Sequence, residues 1–246
     1  MEQYCNTHEY TLRHSDFDFK DELKLSSLLA LLQESAGFSA DELGFGYLDL
    51  KSKNLAFIIV NTCCEILRPV RLGEKAIVET WPLPPRHVIY ERDSRVRIGE
   101  EVVANVATRW CLVDLDGFRL LTPDRLGEAN ARCPYRAERT LEVDNWKIPK
   151  LTEGKEIYRM RVGVSQCDHY KHANNTRYAD FFCDCFTMDE LSRPVRYFQI
   201  AYGKQAKEGA EISFFRKNEG DSSVCEARSD GELLAQFRIR FGEERA

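Results

Sequence analysis

The stretch Ser15-Asp16-Phe17-Asp18, followed by apolar residues at Leu25, Leu28, Leu29, Leu32 and Ala36, returns at Ser165-Gln166-Cys167-Asp168, followed by Tyr178, Phe181, Phe182 and Cys185. Asp168 follows Asp18 by 150 positions, and Tyr10-x-x-Arg13 upstream is echoed by Tyr158-x-x-Arg161. Self-similarity at one long offset is the mark of a duplicated unit. Both apolar runs have the three-and-four spacing of a helix with one buried stripe, and each comes after an extended, alternating segment. Each half therefore begins strand, turn, helix.

Beyond each helix the chain reads as strands, at 57–67, 76–81, 88–96 and 102–113 in the first half and at 197–202, 210–215, 223–227 and 233–241 in the second. The turns between them are short, as at Leu72-Gly73-Glu74, Ile98-Gly99-Glu100 and Asp230-Gly231. A parallel sheet needs crossovers of a dozen or more residues, so the strands must be antiparallel. The fold class expected is α+β, a tandem hotdog in which an antiparallel sheet wraps one central helix per half. The helices are expected at about 25–43 and 175–191. The halves are expected at 1–130 and 151–246, with a connector at 131–150 inside the proline-bearing stretch from Pro123 to Pro149, which also reads as an irregular loop of the first half.

Composition narrows the function classes. The chain has 246 residues, 43% hydrophobic and 30% charged, which is too apolar for a disordered chain. A net charge of -5 argues against nucleic-acid or anionic-membrane binding by the molecule as a whole. The opening MEQYCNTHEY has no signal-peptide pattern, and no apolar run is long enough to span a bilayer. Nine cysteines, an odd number without a disulfide-like spacing, fit reduced thiols and a cytoplasmic location.

Chemistry concentrates in Asp168-His169-Tyr170-Lys171-His172-Ala173-Asn174-Asn175-Thr176-Arg177-Tyr178. Helix capping alone explains an Asp or Asn there. The first-half turn, Asp18-Phe19-Lys20-Asp21-Glu22-Leu23-Lys24-Leu25, starts its helix without the His172, Asn174 and Asn175 cluster, so capping does not require that cluster. Rival motifs are poor. Gly37-Phe38-Ser39-Ala40-Asp41 fails as a serine-hydrolase elbow, Gly44-Phe45-Gly46 lacks the rest of a phosphate loop, and Cys167, His169, His172 and Cys183 or Cys185 lack a paired metal-ligand spacing.

Asp168-x-x-x-His172-Ala173-Asn174-Asn175-x-x-Tyr178 resembles the Asp-x-Asn-x-His-Val-Asn-Asn-x-x-Tyr motif of the acyl-acyl-carrier-protein thioesterases of bacteria and plant plastids. Glu42-Leu43-Gly44-Phe45-Gly46, Gly73-Glu74 with Val78-Glu79-Thr80-Trp81, and Arg109-Trp110 with Val113-Asp114 extend the likeness over nearly the whole chain. The resemblance implies hydrolysis of a fatty acyl thioester to free acid and carrier protein, without cofactor or metal. It implies catalytic roles for Asp168, His172 and Asn174, with Gln205 where the family places a Glu, and substrate contacts from Tyr170, Asn175, Tyr178, Lys204 and Lys207. Tyr170 replaces the motif's Asn two positions before the His, Gln166 replaces an Asp, and Ala206 stands where plant members have Cys.

Thioester hydrolysis needs an activated water or a nucleophile and a donor to the carbonyl oxygen. Asp168 fits either base or nucleophile, His172 and Asn174 fit the holding of water and substrate, and a helix N-terminus fits the donor. Trp81, Trp110, Trp146, Phe57, Phe214, Phe215 and Phe237 are core or acyl-channel candidates. The acid-free stretch 193–207 with Arg193, Arg196, Lys204 and Lys207 is an expected docking face for acidic acyl carrier protein. The alternatives are a non-catalytic acyl-binding or regulatory protein and an acyl-CoA thioesterase, since the scaffold hosts several functions. No nucleic-acid or membrane partner is expected, and the chain is expected as a monomer with an internal pseudo-dimer or as a homodimer.

Overall fold

A computed structural model describes residues 3–242. The first half runs β1 (Asn6–Thr11), α1 (Leu25–Glu42), α2 (Tyr47–Ser52), β2 (Leu55–Ile66), β3 (Lys75–Pro82), β4 (Ile89–Ile98), β5 (Glu101–Asp114) and β6 (Leu120–Leu121), and ends on the short α3 (Glu128–Arg132). The second runs β7 (Lys155–Arg161), α4 (Arg177–Cys183), α5 (Met188–Ser192), β8 (Val195–Tyr202), β9 (Glu211–Glu219), β10 (Ser222–Ser229) and β11 (Glu232–Phe241). All pairings are antiparallel, and the sheet order is β1-β3-β4-β5-β2-β8-β11-β10-β9-β7, with β6 on β5. Read from either end the order is the same, so the tandem hotdog is present, with β2 and β8 as the seam from Asn61↔Ala201 to Glu65↔Tyr197.

The duplication extends to single hydrogen bonds. Asp18 N donates to Glu22 O at 2.8 Å as Asp168 N does to His172 O at 2.9 Å, and Lys24 N donates to Asp16 O as Asn174 N does to Gln166 O, both at 2.9 Å. Asp21 and Lys171 share a left-handed conformation at equivalent places, φ 56° and 66°. The tyrosine echo does not hold. Tyr10 pairs with Ala76 while its register partner in the repeat is Met160, paired with Ile212, so Tyr158 stands two residues earlier along its strand.

α1 buries Leu28, Leu29, Leu32 and Ala36, and α4 buries Tyr178, Phe181 and Phe182. Both stripes join one apolar cluster with Val78, Val106, Phe198, Phe214 and Phe237, which removes large apolar areas from water. The second-half helix is shorter than its apolar spacing predicts. It stops at Cys183, and a new helix starts where the Thr187 hydroxyl accepts from Glu190 N at 3.2 Å in a capping box. Arg216 Nη1 fills the break, donating to Cys185 O at 2.7 Å and to Glu190 at 3.0 Å.

Residues 133–154 cross the outer face of the sheet from one half to the other in irregular conformation. Thr140 N donates to Asp93 at 2.6 Å, Gln199 Nε2 to Trp146 O at 2.9 Å, and Gln236 Nε2 to Pro149 O at 3.1 Å. Buried polar side chains on the outer face thus satisfy a backbone that no ladder serves.

Candidate active site

The second-half turn is built by local hydrogen bonds before any chemistry is asked of it. Asp168 Oδ1 accepts from Tyr170 N at 2.8 Å, as Asp18 Oδ1 accepts from Lys20 N at 2.8 Å in the first half. One carboxylate oxygen of each aspartate is therefore a turn acceptor, a use that residue order alone does not separate from catalysis. Ala173 N donates to Ala206 O at 2.8 Å and His172 bridges to Lys207, which seats the turn on the loop after β8.

His172 is half-buried, and its Nδ1 is buried without a hydrogen-bond partner. Burial pulls its pKa below the usual histidine value, Asp168 opposes that shift and Lys207 adds to it. A neutral imidazole with a free nitrogen can accept a proton.

Asn174 Oδ1 accepts from Thr176 N and Thr176 Oγ1, both at 2.9 Å, so it braces the turn that leads into the helix and leaves its amide Nδ2 without a protein acceptor. The N-terminus of α4 is not the free donor expected. Thr176 N is taken by Asn174 Oδ1, Arg177 N by Asn174 O at 3.0 Å and Ala179 N by Thr176 O at 3.2 Å.

An apolar cavity of about 250 Å³ opens beside this turn, walled by α1, α2 and first-half strands through Ala36, Phe45, Leu50, Phe57, Tyr90 and Trp110. His169 and Tyr170 are the second half's contribution to it. Tyr47, at the start of α2, meets His169 edge-on at 4.9 Å between ring centroids and Tyr170 at 6.2 Å, so three aromatic rings form the mouth. A small void adjoins the cavity, with Gln33, Thr62, Arg92, Asn175, Thr176 and Tyr202 set among apolar residues such as Leu29, Leu32 and Ile59 in its lining.

A larger cavity of about 430 Å³ sits at the equivalent first-half turn, lined among others by Asp18, Lys20, Leu28, Asp180 and Cys183. It is the second site of the internal dimer, but Glu22 and Lys24 occupy the places of His172 and Asn174. The two turns thus differ in chemistry as their cavities differ in size.

The remaining candidates scatter. Tyr178 is buried in the apolar core against Phe181, Phe182 and Tyr202 and lines neither the cavity nor the void. Gln205 is exposed and makes no side-chain hydrogen bond among the described residues, while Ala206 is buried under the turn. Lys204 is paired with Glu232 at 2.9 Å. The stretch 193–207 is not one patch, because β8 runs through it and holds Arg193 and Arg196 roughly 25 Å from Lys204 and Lys207. Arg196 instead donates to Leu67 O at 2.6 Å, and Arg193 lies over Phe241.

Among the aromatics, Phe57 and Trp110 line the cavity. Trp81, Phe214 and Phe237 are fully buried, whereas Trp146 and Phe215 are covered by Arg109 and Arg228. Tyr47, Arg92 and His169 were not singled out as site residues from the sequence. Of these only His169, inside the motif, carried a local signal.

Among the described residues no helix is long and apolar enough to cross a membrane, and no group of three or more metal-ligating side chains is gathered. No curated protein sequence matches the chain. Solved structures do. An acyl-ACP thioesterase from Bacteroides thetaiotaomicron superposes with a TM-score of 0.88 at 21% identity, covering 97% of this chain and 98% of that one. The 12:0-ACP thioesterase from Umbellularia californica gives 0.86 at 17% identity, covering 98% of each chain. At such identities they show the shared fold. Residues 3–122 match the model of the acyl-ACP thioesterase N-terminal domain, so the first half of the chain carries a domain of the acyl-acyl-carrier-protein thioesterase family.

Proposed function

We propose that the protein hydrolyses fatty acyl thioesters of acyl carrier protein at the second-half turn, with the acyl chain lodged in the first-half cavity. The observation that carries this reading is the meeting of the two halves: the polar turn of one forms the mouth of the apolar cavity of the other. Residues 1–130 then supply chain binding, 151–246 supply chemistry and 131–150 tie them.

In the reaction water adds to the thioester carbonyl, the carbon–sulfur bond breaks, and the thiolate leaves and takes up the proton that water gave. Neutral His172 accepts that proton. Asp168 keeps one oxygen for the water or the acyl carbon, since its other oxygen holds the turn. The free Asn174 amide donates to the carbonyl oxygen, the place where charge develops. Lys207, beside His172, meets the acidic carrier.

The test is release of free thiol from matched acyl-carrier-protein and acyl-CoA substrates over several chain lengths. Release from the carrier protein in preference to CoA is expected. Absence of release from either carrier overturns the reading.

A further inference from the structure

The acyl cavity contains a charge that an unsubstituted hydrocarbon chain does not call for. Tyr90, Arg92 and Ser94 alternate onto the inner face of β4, and Arg92 lines both the cavity and the adjoining void although only 7% of its surface is exposed. Its Nη1 donates to Ser39 Oγ at 2.9 Å and to Thr80 Oγ1 at 3.3 Å. Neither Nε nor Nη2 has a protein acceptor, and no carboxylate pairs with Arg92 among the described residues.

The side chains of the neighbouring acids engage partners on the other face of the sheet, although Glu91 also borders the cavity and Asp93 Oδ1 is buried without a partner. Glu91 holds Arg109 and Arg139, and Asp93 holds Thr140. Glu42 is reached only through a relay, Arg92 to Ser39 to Tyr4 to Glu42. Burial lowers the Arg92 pKa to about 10, so the guanidinium is still charged at neutral pH.

Two hydroxyls add to this. Tyr90, a residue of the cavity wall, and Thr62, a residue of the void wall, each bury a hydroxyl without a hydrogen-bond partner. A buried polar group left unpaired costs free energy, and a charge costs more. The Arg92 Nε and Nη2 donors and these two hydroxyls, spread over the cavity and the void beside it, point to a ligand that brings an acceptor.

We propose that this cavity selects acyl chains carrying an oxygen substituent, hydroxyl or keto, whose oxygen accepts from Arg92 and engages the Tyr90 or Thr62 hydroxyl. The inference rests on the cavity being the acyl site of the thioesterase reading. A methylene at that point leaves the donors unpaired, whereas an oxygen pairs them, and this asymmetry rejects the analogue lacking the oxygen.

The experiment measures binding of free fatty acids to the full chain, comparing unsubstituted acids with hydroxy and keto acids of equal length, the substituent moved along the chain. At least one oxygenated isomer is expected to bind about tenfold more tightly than the unsubstituted acid, the size of one charge-assisted hydrogen bond. Arg92→Met is expected to erase that preference and Arg92→Lys to retain part of it. Should Arg92→Met fail to fold, Tyr90→Phe and Thr62→Val give the same readout, at least one of them narrowing the preference. If wild type binds the unsubstituted acid as tightly as every oxygenated isomer, the unpaired groups serve bound water alone and the inference is overturned. Thiol release is assayed in parallel. A binding preference without release from any acyl carrier sinks the thioesterase reading and leaves the selectivity standing; release without preference does the reverse.

Discussion

Asp168 and Asp18 do the same structural work, each accepting a backbone N–H from the residue two positions on, so their substitution separates turn-building from chemistry. Asp168→Asn keeps an acceptor for the turn but removes the charge, and His172→Ala removes the proposed proton acceptor. Each is expected to lower turnover by about a hundredfold or more, in the range of general acid–base groups, while Asp18→Asn leaves turnover within a few-fold. Steady-state hydrolysis by folded variants decides it, and equal losses at Asp18 and Asp168 would mislocate the site. The pH profile carries a second check. With the His172 pKa lowered, the imidazole stays neutral to below the ordinary value of about 6.5, so the acidic limb of kcat/KM is expected beneath that pH. Lys207→Glu removes one cause of the lowering and should move the limb upward. Gln205, exposed and unbonded where the family has Glu, is a neutral amide in the position of a charge. Gln205→Glu is expected to maintain or raise turnover at saturating substrate, and a collapse in turnover would mean that this site is organised around the amide.

β4 shows how one strand serves two purposes through its period of two. Its inner face carries Tyr90, Arg92 and Ser94 toward the cavity, and its outer face carries Glu91 and Asp93 under the crossing segment. Burial raises the Asp93 carboxyl from 3.8 to about 6, although Thr140 N donates to it. The folded state therefore binds this proton more tightly than the unfolded one. The stabilisation is complete below the unfolded value and is lost as pH rises through about 6. Asp93→Asn keeps an acceptor for Thr140 and avoids burying a charge. It is expected to stabilise the fold by roughly 1–3 kcal/mol at pH 8 and by little at pH 4. Denaturant unfolding at the two pH values measures this, and equal effects at both would remove the burial argument.

In the whole molecule the seam of β2 and β8 brings each half's turn to the other half's helix, which makes two related cavities. Carrier docking belongs here as well. Lys207 bridges to His172 in the second-half turn, with Lys204 three residues before it, and Arg193 and Arg196 lie at the far end of β8. Reversing Lys204 and Lys207 to Glu is expected to raise KM for an acyl-carrier-protein substrate several-fold more than for the same acyl-CoA, with added salt eroding the difference. Reversing Arg193 and Arg196 should leave both unchanged. Kinetics at two ionic strengths tests the pair, and an equal effect on both substrates counts against docking at the catalytic turn.

The duplication, the antiparallel strands and the site motif were legible in the order of residues, because helix and strand periods and turn residues act over a few positions. Asp168, His172 and Asn174 stood within one turn and needed no long-range contact to be grouped. The break after Cys183 was legible only in part, since the Thr187-x-x-Glu190 capping box is a local signal but Arg216 reaches in from β9. The splitting of stretch 193–207 was hidden because a count of charges does not register the length of the strand between them. Tyr47 and Arg92 were hidden for the same kind of reason. Their neighbours at the site, His169 with Tyr170 and Thr62 with Asn175, lie far away in sequence and close only after β2 meets β8. Local chemistry thus fixes which elements form and which turn is polar, and the packing of one half on the other settles what that turn faces, because sheet registry joins residues that no local pattern links.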